Sequence, residues 1–236
     1  MKVYCQPPPV QSRLLIDQFA GLIDHTFLKP FGTEDDIEKL CEEARCYGFA
    51  AVVINPAEIE TCVRFLEGSK VRVATVIGFP LGQTTAECKA FETRDAIAKG
   101  ATETDMVINI RALQKGQLDV VKCEIDGMVK ICKPKQVICK VILETCYLSD
   151  VEKETVCRIA KAAGADFVKT STGLGTAGAT VHDVELMCRV VGADMGVKAS
   201  GGIRDLETAL AMIRAGATRI GTSNGVAIVE AYKQLK

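Results

Sequence analysis

Two lysines occupy corresponding places in two short apolar runs, Asp166-Phe167-Val168-Lys169-Thr170 and Met195-Gly196-Val197-Lys198-Ala199. Period-2 alternation puts Phe167 and Lys169 on one face of the first run and Val168 and Thr170 on the other. In the second run Val197 suits an apolar, helix-covered side, so Lys198 shares an interior with Lys169. Adjacent strands lie about 4.8 Å apart, close enough for the two ammonium groups to oppose each other's protonation. In a partly desolvated site a depression of roughly 2–4 units carries a lysine from about 10.4 towards neutrality. A neutral amine is a nucleophile, and a lysine activated by a second cation is suited to Schiff-base chemistry. The plainer alternative is that these lysines only neutralise interior carboxylates. Such carboxylates are on offer: Asp105, by the alternation Asp105, Val107, Asn109, and Asp24 near the end of an earlier run. Asp105 is placed to relay protons with Lys198, and Lys140, also inward, to keep Asp105 ionised.

An anion site is expected from the loops that follow such runs. Ser200-Gly201-Gly202-Ile203-Arg204 comes after one, and Gly221-Thr222-Ser223-Asn224 leads from another into the last helix. Small residues bare backbone N–H groups, a helix N-terminus favours phosphate, and Arg204 adds charge-assisted hydrogen bonds. The segment Gly173-Leu174-Gly175-Thr176-Ala177-Gly178 matches the dinucleotide pattern GxGxxG, with Asp194 about twenty residues on. It directly follows Lys169-Thr170-Ser171-Thr172, however, late in a series of repeats, so Gly173 is read as part of a polar rim over a phosphosugar. NAD and FAD are not expected.

Eight apolar runs supply the positioning: 20–25, 49–54, 71–77, 104–109, 137–143, 166–170, 195–199 and 218–221, each followed by an amphipathic segment. Thr33 with Asp36 marks one helix start, Pro56 the next, and Gln83-Thr84 a third; Gly48, Gly100, Gly164 and Gly216 mark stops. Eight strand–helix units in 236 residues predict an α/β fold, a (β/α)8 TIM barrel with a short extra N-terminal helix at 11–19. A doubly wound open sheet is the alternative. Residues 1–10 are expected to form a flexible segment and 11–236 a single barrel domain. Barrel chemistry gathers at the C-terminal ends of strands, where Lys169 and the glycine loops fall.

Composition narrows the field further. Twenty-nine Lys and Arg against thirty Asp and Glu leave a net charge of −1, and the chain has no Trp. Neither nucleic acid nor a membrane is an expected partner. Eleven cysteines without a CxxC pair, a signal-like start or enough histidines argue against a disulfide scaffold or a zinc site. Reduced thiols in the cytoplasm are expected. His25 should face the helices and His182 the solvent; neither is read as catalytic.

With Lys169 inside Phe167-Val168-Lys169-Thr170-Ser171-Thr172-Gly173, the chain resembles the deoxyribose-phosphate aldolases, a class I aldolase family. Further segments agree in order: Asp24-His25-Thr26-Phe27-Leu28-Lys29, Gly78-Phe79-Pro80-Leu81-Gly82, Glu92-Thr93-Arg94, Thr104-Asp105-Met106-Val107, Lys140-Val141-Ile142-Leu143-Glu144-Thr145 and Val197 to Arg204. The likeness spans about residues 20–225. It implies a barrel that reversibly cleaves 2-deoxy-D-ribose 5-phosphate to acetaldehyde and D-glyceraldehyde 3-phosphate with no cofactor and no metal. Lys169 would form the imine, Lys198 would depress its pKa, and Asp105 with Lys198 would move protons. Asp24, Thr26 and Thr170 would touch sugar hydroxyls, Asp24 being equally suited to close the barrel floor or pair with Lys198, and a homodimer or higher homo-oligomer is implied. Two positions depart from the pattern: Leu174 stands where some relatives have lysine, and Tyr232 is only near the C-terminus, where some use a catalytic tyrosine. The competing readings are a flavin-dependent or isomerising phosphate-binding barrel and a barrel that binds phosphosugars without catalysis.

Overall fold

Local chemistry sets the helix boundaries. Thr33 accepts a hydrogen bond from the Asp36 N–H while the Asp36 carboxylate accepts one from the Thr33 N–H at 2.8 Å, so α2 (Glu34–Tyr47) starts in a reciprocal cap. Gly48 ends it in the left-handed region, and Gly100, Gly164 and Gly216 also have positive φ, as their places after helices predict. Ser149 with Glu152 repeats the reciprocal cap at α7 (Asp150–Ala163). The remaining helices are α1 (Ile16–Ala20), α3 (Ile59–Phe65), α4 (Ala86–Ala98), α5 (Ile110–Gln114), α6 (Leu118–Cys132), α8 (Val181–Val191), α9 (Leu206–Arg214) and α10 (Gly225–Lys233). Among the described residues none is long and apolar enough to cross a membrane.

The computed structural model describes residues 14–235. In it β1 (Ile23–Phe27), β2 (Ala51–Ile54), β3 (Arg72–Ile77), β4 (Glu103–Val107), β5 (Ile138–Ile142), β6 (Phe167–Lys169), β7 (Gly196–Ser200) and β8 (Arg219–Thr222) close into a parallel barrel in chain order. The expected (β/α)8 barrel is therefore the fold, and the open sheet is excluded. The expected flexible segment 1–10 lies outside the described residues.

Several boundaries differ from the sequence expectation. The N-terminal helix extends to Ala20 because Phe19 and Ala20 are buried, so β1 begins three residues later, at Ile23, than the run suggested. Asn109 is not an inward strand residue: its side chain accepts from the Ala112 N–H at 3.0 Å and caps α5. Pro56 opens a short 3-10 turn ahead of α3, and Thr85 rather than Thr84 caps α4. Tyr232 stacks on Phe19 with ring centroids 4.0 Å apart and donates to the Leu14 carbonyl at 2.9 Å, tying α10 to the start of the chain. Of the ten described cysteines, five are buried and the others are partly or fully exposed, so only half act as small core residues.

Register stacks the inward side chains in layers of four from alternate strands. The lowest holds Ala51, Glu103, Phe167 and Arg219; the next Asp24, Ala74, Lys140 and Lys198; the third Val53, Asp105, Lys169 and Gly221. The β2 and β3 side is apolar, with Ala51, Val53, Ala74 and Val76 forming their own cluster. The rest of the barrel is charged. Phe167 fits because position 196 is glycine; a Cβ there would lie 2.2 Å from its ring. The main apolar core fills the space between barrel and helices.

Candidate active site

β6 and β7 pair with Lys169 opposite Lys198, so both side chains enter the barrel from neighbouring strands, in successive layers, 2% and 1% exposed. Between them stands Asp105, fully buried. Its Oδ2 accepts from Lys169 Nζ at 2.9 Å and from Lys198 Nζ at 2.8 Å, while its Oδ1 accepts from Lys140 Nζ at 2.6 Å. Lys140 also pairs with Glu103 at 2.5 Å, and Lys198 with Asp24 at 2.5 Å.

These contacts rank the lysines. Lys140 and Lys198 each touch two carboxylates, whereas Lys169 has one oxygen, which it shares with Lys198. Burial pulls Lys140 down, but Asp105 and Glu103 outweigh it and hold it above the ordinary lysine range. For Lys169, burial is the largest influence; Asp105 pulls upward and Lys198 pushes down again, leaving it at about 8. The sequence expectation credited the neighbouring charge, but desolvation contributes more. Burial also raises Asp105, yet the three ammonium groups hold it well below the usual carboxylate range. Asp24 is brought to about 2, burial being outweighed by Arg219, Lys198 and Lys140.

A cavity of about 880 Å³ opens above the C-terminal ends of β1, β6, β7 and β8, and both Lys169 and Lys198 reach it. Thr26, Gly173, Gly201, Gly202, Arg204, Gly221, Thr222 and Ser223, all picked from the sequence, line it. Asp24, Asp105 and Thr170 do not. Asp24 and Asp105 are fully buried among the ammonium groups they pair with, and the Thr170 hydroxyl is spent between strands, donating to the Ser200 carbonyl and accepting from the Ser200 N–H, both at 3.1 Å. The Thr222 hydroxyl donates to the Ile203 carbonyl at 2.7 Å, which joins the two loops.

The glycines of the GxGxxG segment have a packing reason. A Cβ on Gly178 would lie 2.1 Å from the Gly201 carbonyl oxygen, and one on Gly175 would lie 3.1 Å from the Glu144 carboxyl carbon. The loop after β6 thus interlocks with the loop after β7 and rests on Glu144. That glutamate is buried, adopts a left-handed backbone at φ 58°, and accepts from the Thr172 hydroxyl and N–H. His25 pairs with Glu43 of α2 at 2.8 Å, and burial lowers its pKa, so it faces the helix as a neutral ring. His182 is exposed and pairs with Asp150 at 2.7 Å.

Glu103, Arg219 and the positioning role of Glu144 were not picked out from the sequence. The first two were accessible to the same period-2 arithmetic: Glu103 is two residues before Asp105, and Arg219 two before Gly221. Glu144 carries no sequence signal for its left-handed backbone.

A lysine pair around a buried aspartate thus lies beneath a glycine-lined cavity, and comparison decides the family. The model of the DeoC/LacD family aldolases matches residues 15–231. The chain belongs to the DeoC/LacD aldolase family. As an aldolase it is a carbon–carbon lyase. It is similar to the deoxyribose-phosphate aldolase of Bacteroides thetaiotaomicron, 75% identical over 227 residues that make up 96% of this chain and 95% of the relative. The deoxyribose-phosphate aldolase of Caldanaerobacter subterraneus subsp. tengcongensis is 58% identical over 91% of this chain and 94% of its own. Among solved structures, the tetrameric deoxyribose phosphate aldolase from Aeropyrum pernix superposes with a TM-score of 0.86 at 37% identity, covering 94% of both chains.

Proposed function

We propose that this aldolase reversibly cleaves 2-deoxy-D-ribose 5-phosphate to acetaldehyde and D-glyceraldehyde 3-phosphate through an imine on Lys169. One observation carries the residue assignment: of the two lysines that reach the cavity, Lys198 is held between two carboxylates, whereas Lys169 has a single shared carboxylate oxygen and a pKa brought down to about 8. Its neutral amine attacks the substrate aldehyde, and loss of water gives a protonated imine. The C3 hydroxyl gives up its proton, the C2–C3 bond breaks, and its electron pair passes to the imine nitrogen as an enamine. Protonation of the enamine and hydrolysis release acetaldehyde. The Lys198 ammonium exchanges protons with the reacting groups. Asp105, held well below the usual carboxylate range, orients the two lysines and is protonated only transiently as a proton passes between them.

Phosphate binds at the other end of the cavity. Gly201 and Gly202, both at positive φ, turn the loop after β7, and the N-terminus of α10 follows Ser223. With Leu174 in place of a lysine, charge at this end comes from Arg204. Asp24 contributes by fixing Lys198, and Thr170 by joining β6 to β7; Thr26 lines the sugar region. In the same reading the chain works in the cytoplasm as a homodimer or larger homo-oligomer, supported by the tetrameric Aeropyrum pernix relative.

The deciding experiment is borohydride reduction with acetaldehyde, followed by peptide mapping. An ethyl group on Lys169 is expected, with a trapping rate that climbs as pH passes through about 8. An adduct only on Lys198 or Lys140 reassigns the nucleophile, and no adduct leaves the binding-only or flavin readings. The anion cradle is tested by Gly178→Ala, whose Cβ forces the two interlocked loops apart. A KM for the phosphorylated substrate raised at least roughly tenfold, with acetaldehyde trapping unchanged, is the expected result in steady-state kinetics.

A further inference from the structure

Among the described residues, six of the seven buried charged side chains on the inner face of the barrel close a ring. Arg219 donates to Asp24 at 2.7 Å through Nε and to Glu103 at 2.8 and 3.1 Å through Nη2. From Asp24 the ring passes to Lys198 at 2.5 Å and Asp105 at 2.8 Å, then to Lys140 at 2.6 Å and Glu103 at 2.5 Å. The signs alternate all the way round, three cations against three anions, and every member touches two of opposite sign. Lys169 hangs outside it, attached through Asp105 Oδ2 alone.

We infer that Arg219 and Glu103 are positioning residues which, from the far side of the barrel, keep this ring neutral and so leave Lys169 as the free amine. Neither lines the cavity that Lys169 reaches. With the ring balanced, a protonated Lys169 is a surplus cation in a medium of low dielectric, and proton loss removes it. Arginine suits the lowest layer because it cannot itself shed the surplus proton, as a lysine there can. It is held against Phe167, with its guanidinium carbon 5.8 Å from the ring centre.

Among the described residues, the one other buried carboxylate near the tops of β5 and β6, Glu144, is turned to the Thr172 hydroxyl and N–H. Lys169 faces Asp24 from β1, Glu103 and Asp105 from β4, Lys140 from β5, Lys198 from β7 and Arg219 from β8, while β2 and β3 present only Ala51, Val53, Ala74 and Val76. Arg72 approaches Glu103 from the lower mouth at 3.7 Å but is half exposed. The charged residues of the upper cavity wall are Lys29, Asp36, Lys39, Glu43 and Arg204.

The inference rests on imine formation at Lys169. If the unsubstituted protein traps no acetaldehyde there, that reading fails first and separately. The test is the pH profile of borohydride trapping from about pH 6 to about pH 10. Arg219→Met leaves the ring one charge negative, so Lys169 keeps its proton and the midpoint moves alkaline by about one unit, with roughly tenfold slower trapping at lower pH. Glu103→Gln leaves it one charge positive and moves the midpoint the other way. The double variant is neutral again and returns the midpoint to its original place. Unmoved midpoints, shifts of the same sign, or a double variant displaced as far as a single one overturn the inference. Where Arg219→Met does not fold, the isosteric Glu103→Gln decides: an acid shift supports it, and no shift or an alkaline one overturns it.

Discussion

Lys169→Met loses retro-aldol turnover by at least roughly 10⁴-fold, the scale expected when a covalent nucleophile is deleted and only binding remains, and the same variant melts at a higher temperature. The first half follows from the imine: Lys140 does not reach the cavity, and Lys198, which does, is held between two carboxylates, whereas Lys169 has one shared carboxylate oxygen. The second half follows from linkage. Lys169 titrates at about 8 in the folded chain against an ordinary 10.5, so between these values the unfolded chain binds a proton that the native state lacks. Stability therefore rises with pH across that window, and below it the native state bears the full cost of a protonated, buried amine, up to about 3 kcal/mol. Methionine removes that cost and leaves Asp105 with Lys140 and Lys198 as partners. At neutral pH each kcal/mol so recovered raises Tm by about 2–4 °C in a chain of this size. Calorimetry beside a steady-state assay reads both. Retained turnover removes Lys169 from the mechanism, and a lower Tm shows that its ammonium stabilises the barrel.

The gain and the loss have one origin. A nucleophilic lysine is an interior charge without its own counter-ion, and the barrel maintains it only because the surrounding charges are matched with one another. This is the sense in which a catalytic centre is strained while the fold around it is not.

How much of this was legible beforehand depends on range. Alternation put Lys169, Lys198, Lys140, Asp105 and Asp24 inside, and the structure has all five there, because a closed barrel leaves period-2 residues no other face. Glycine after helices marked the stops correctly, since the left-handed turn is a local requirement. Thr170 misled for a related reason. Its neighbours are polar loop residues, yet its hydroxyl is consumed by the Ser200 backbone across the β6–β7 pair, a partner thirty residues away that no local pattern specifies. The pairing of Arg219 with Glu103 has the same kind of invisibility: the two stand on β8 and β4, strands that do not touch, 116 residues apart in sequence. Spacing along the chain fixes which face a residue takes, whereas layer stacking, set by strand tilt, fixes whom it meets.

Lys198→Arg separates the two duties of the second lysine. Arginine keeps a permanent cation between Asp24 and Asp105, so the ring stays matched and Lys169 still gives up its proton. The imine therefore forms, and borohydride with acetaldehyde still places an ethyl group on Lys169. Turnover nevertheless falls by about 10² to 10⁴, the usual worth of a positioned acid–base group, because a guanidinium does not release a proton in the working range. Lys198→Met makes the contrast. It removes the cation, leaves Asp105 to hold Lys169 as an ion pair, and moves the trapping midpoint alkaline as well as slowing turnover. Normal turnover in Lys198→Arg means that charge alone suffices at this position. Proton delivery then belongs to water in the cavity, and Lys198 is reduced to a member of the ring.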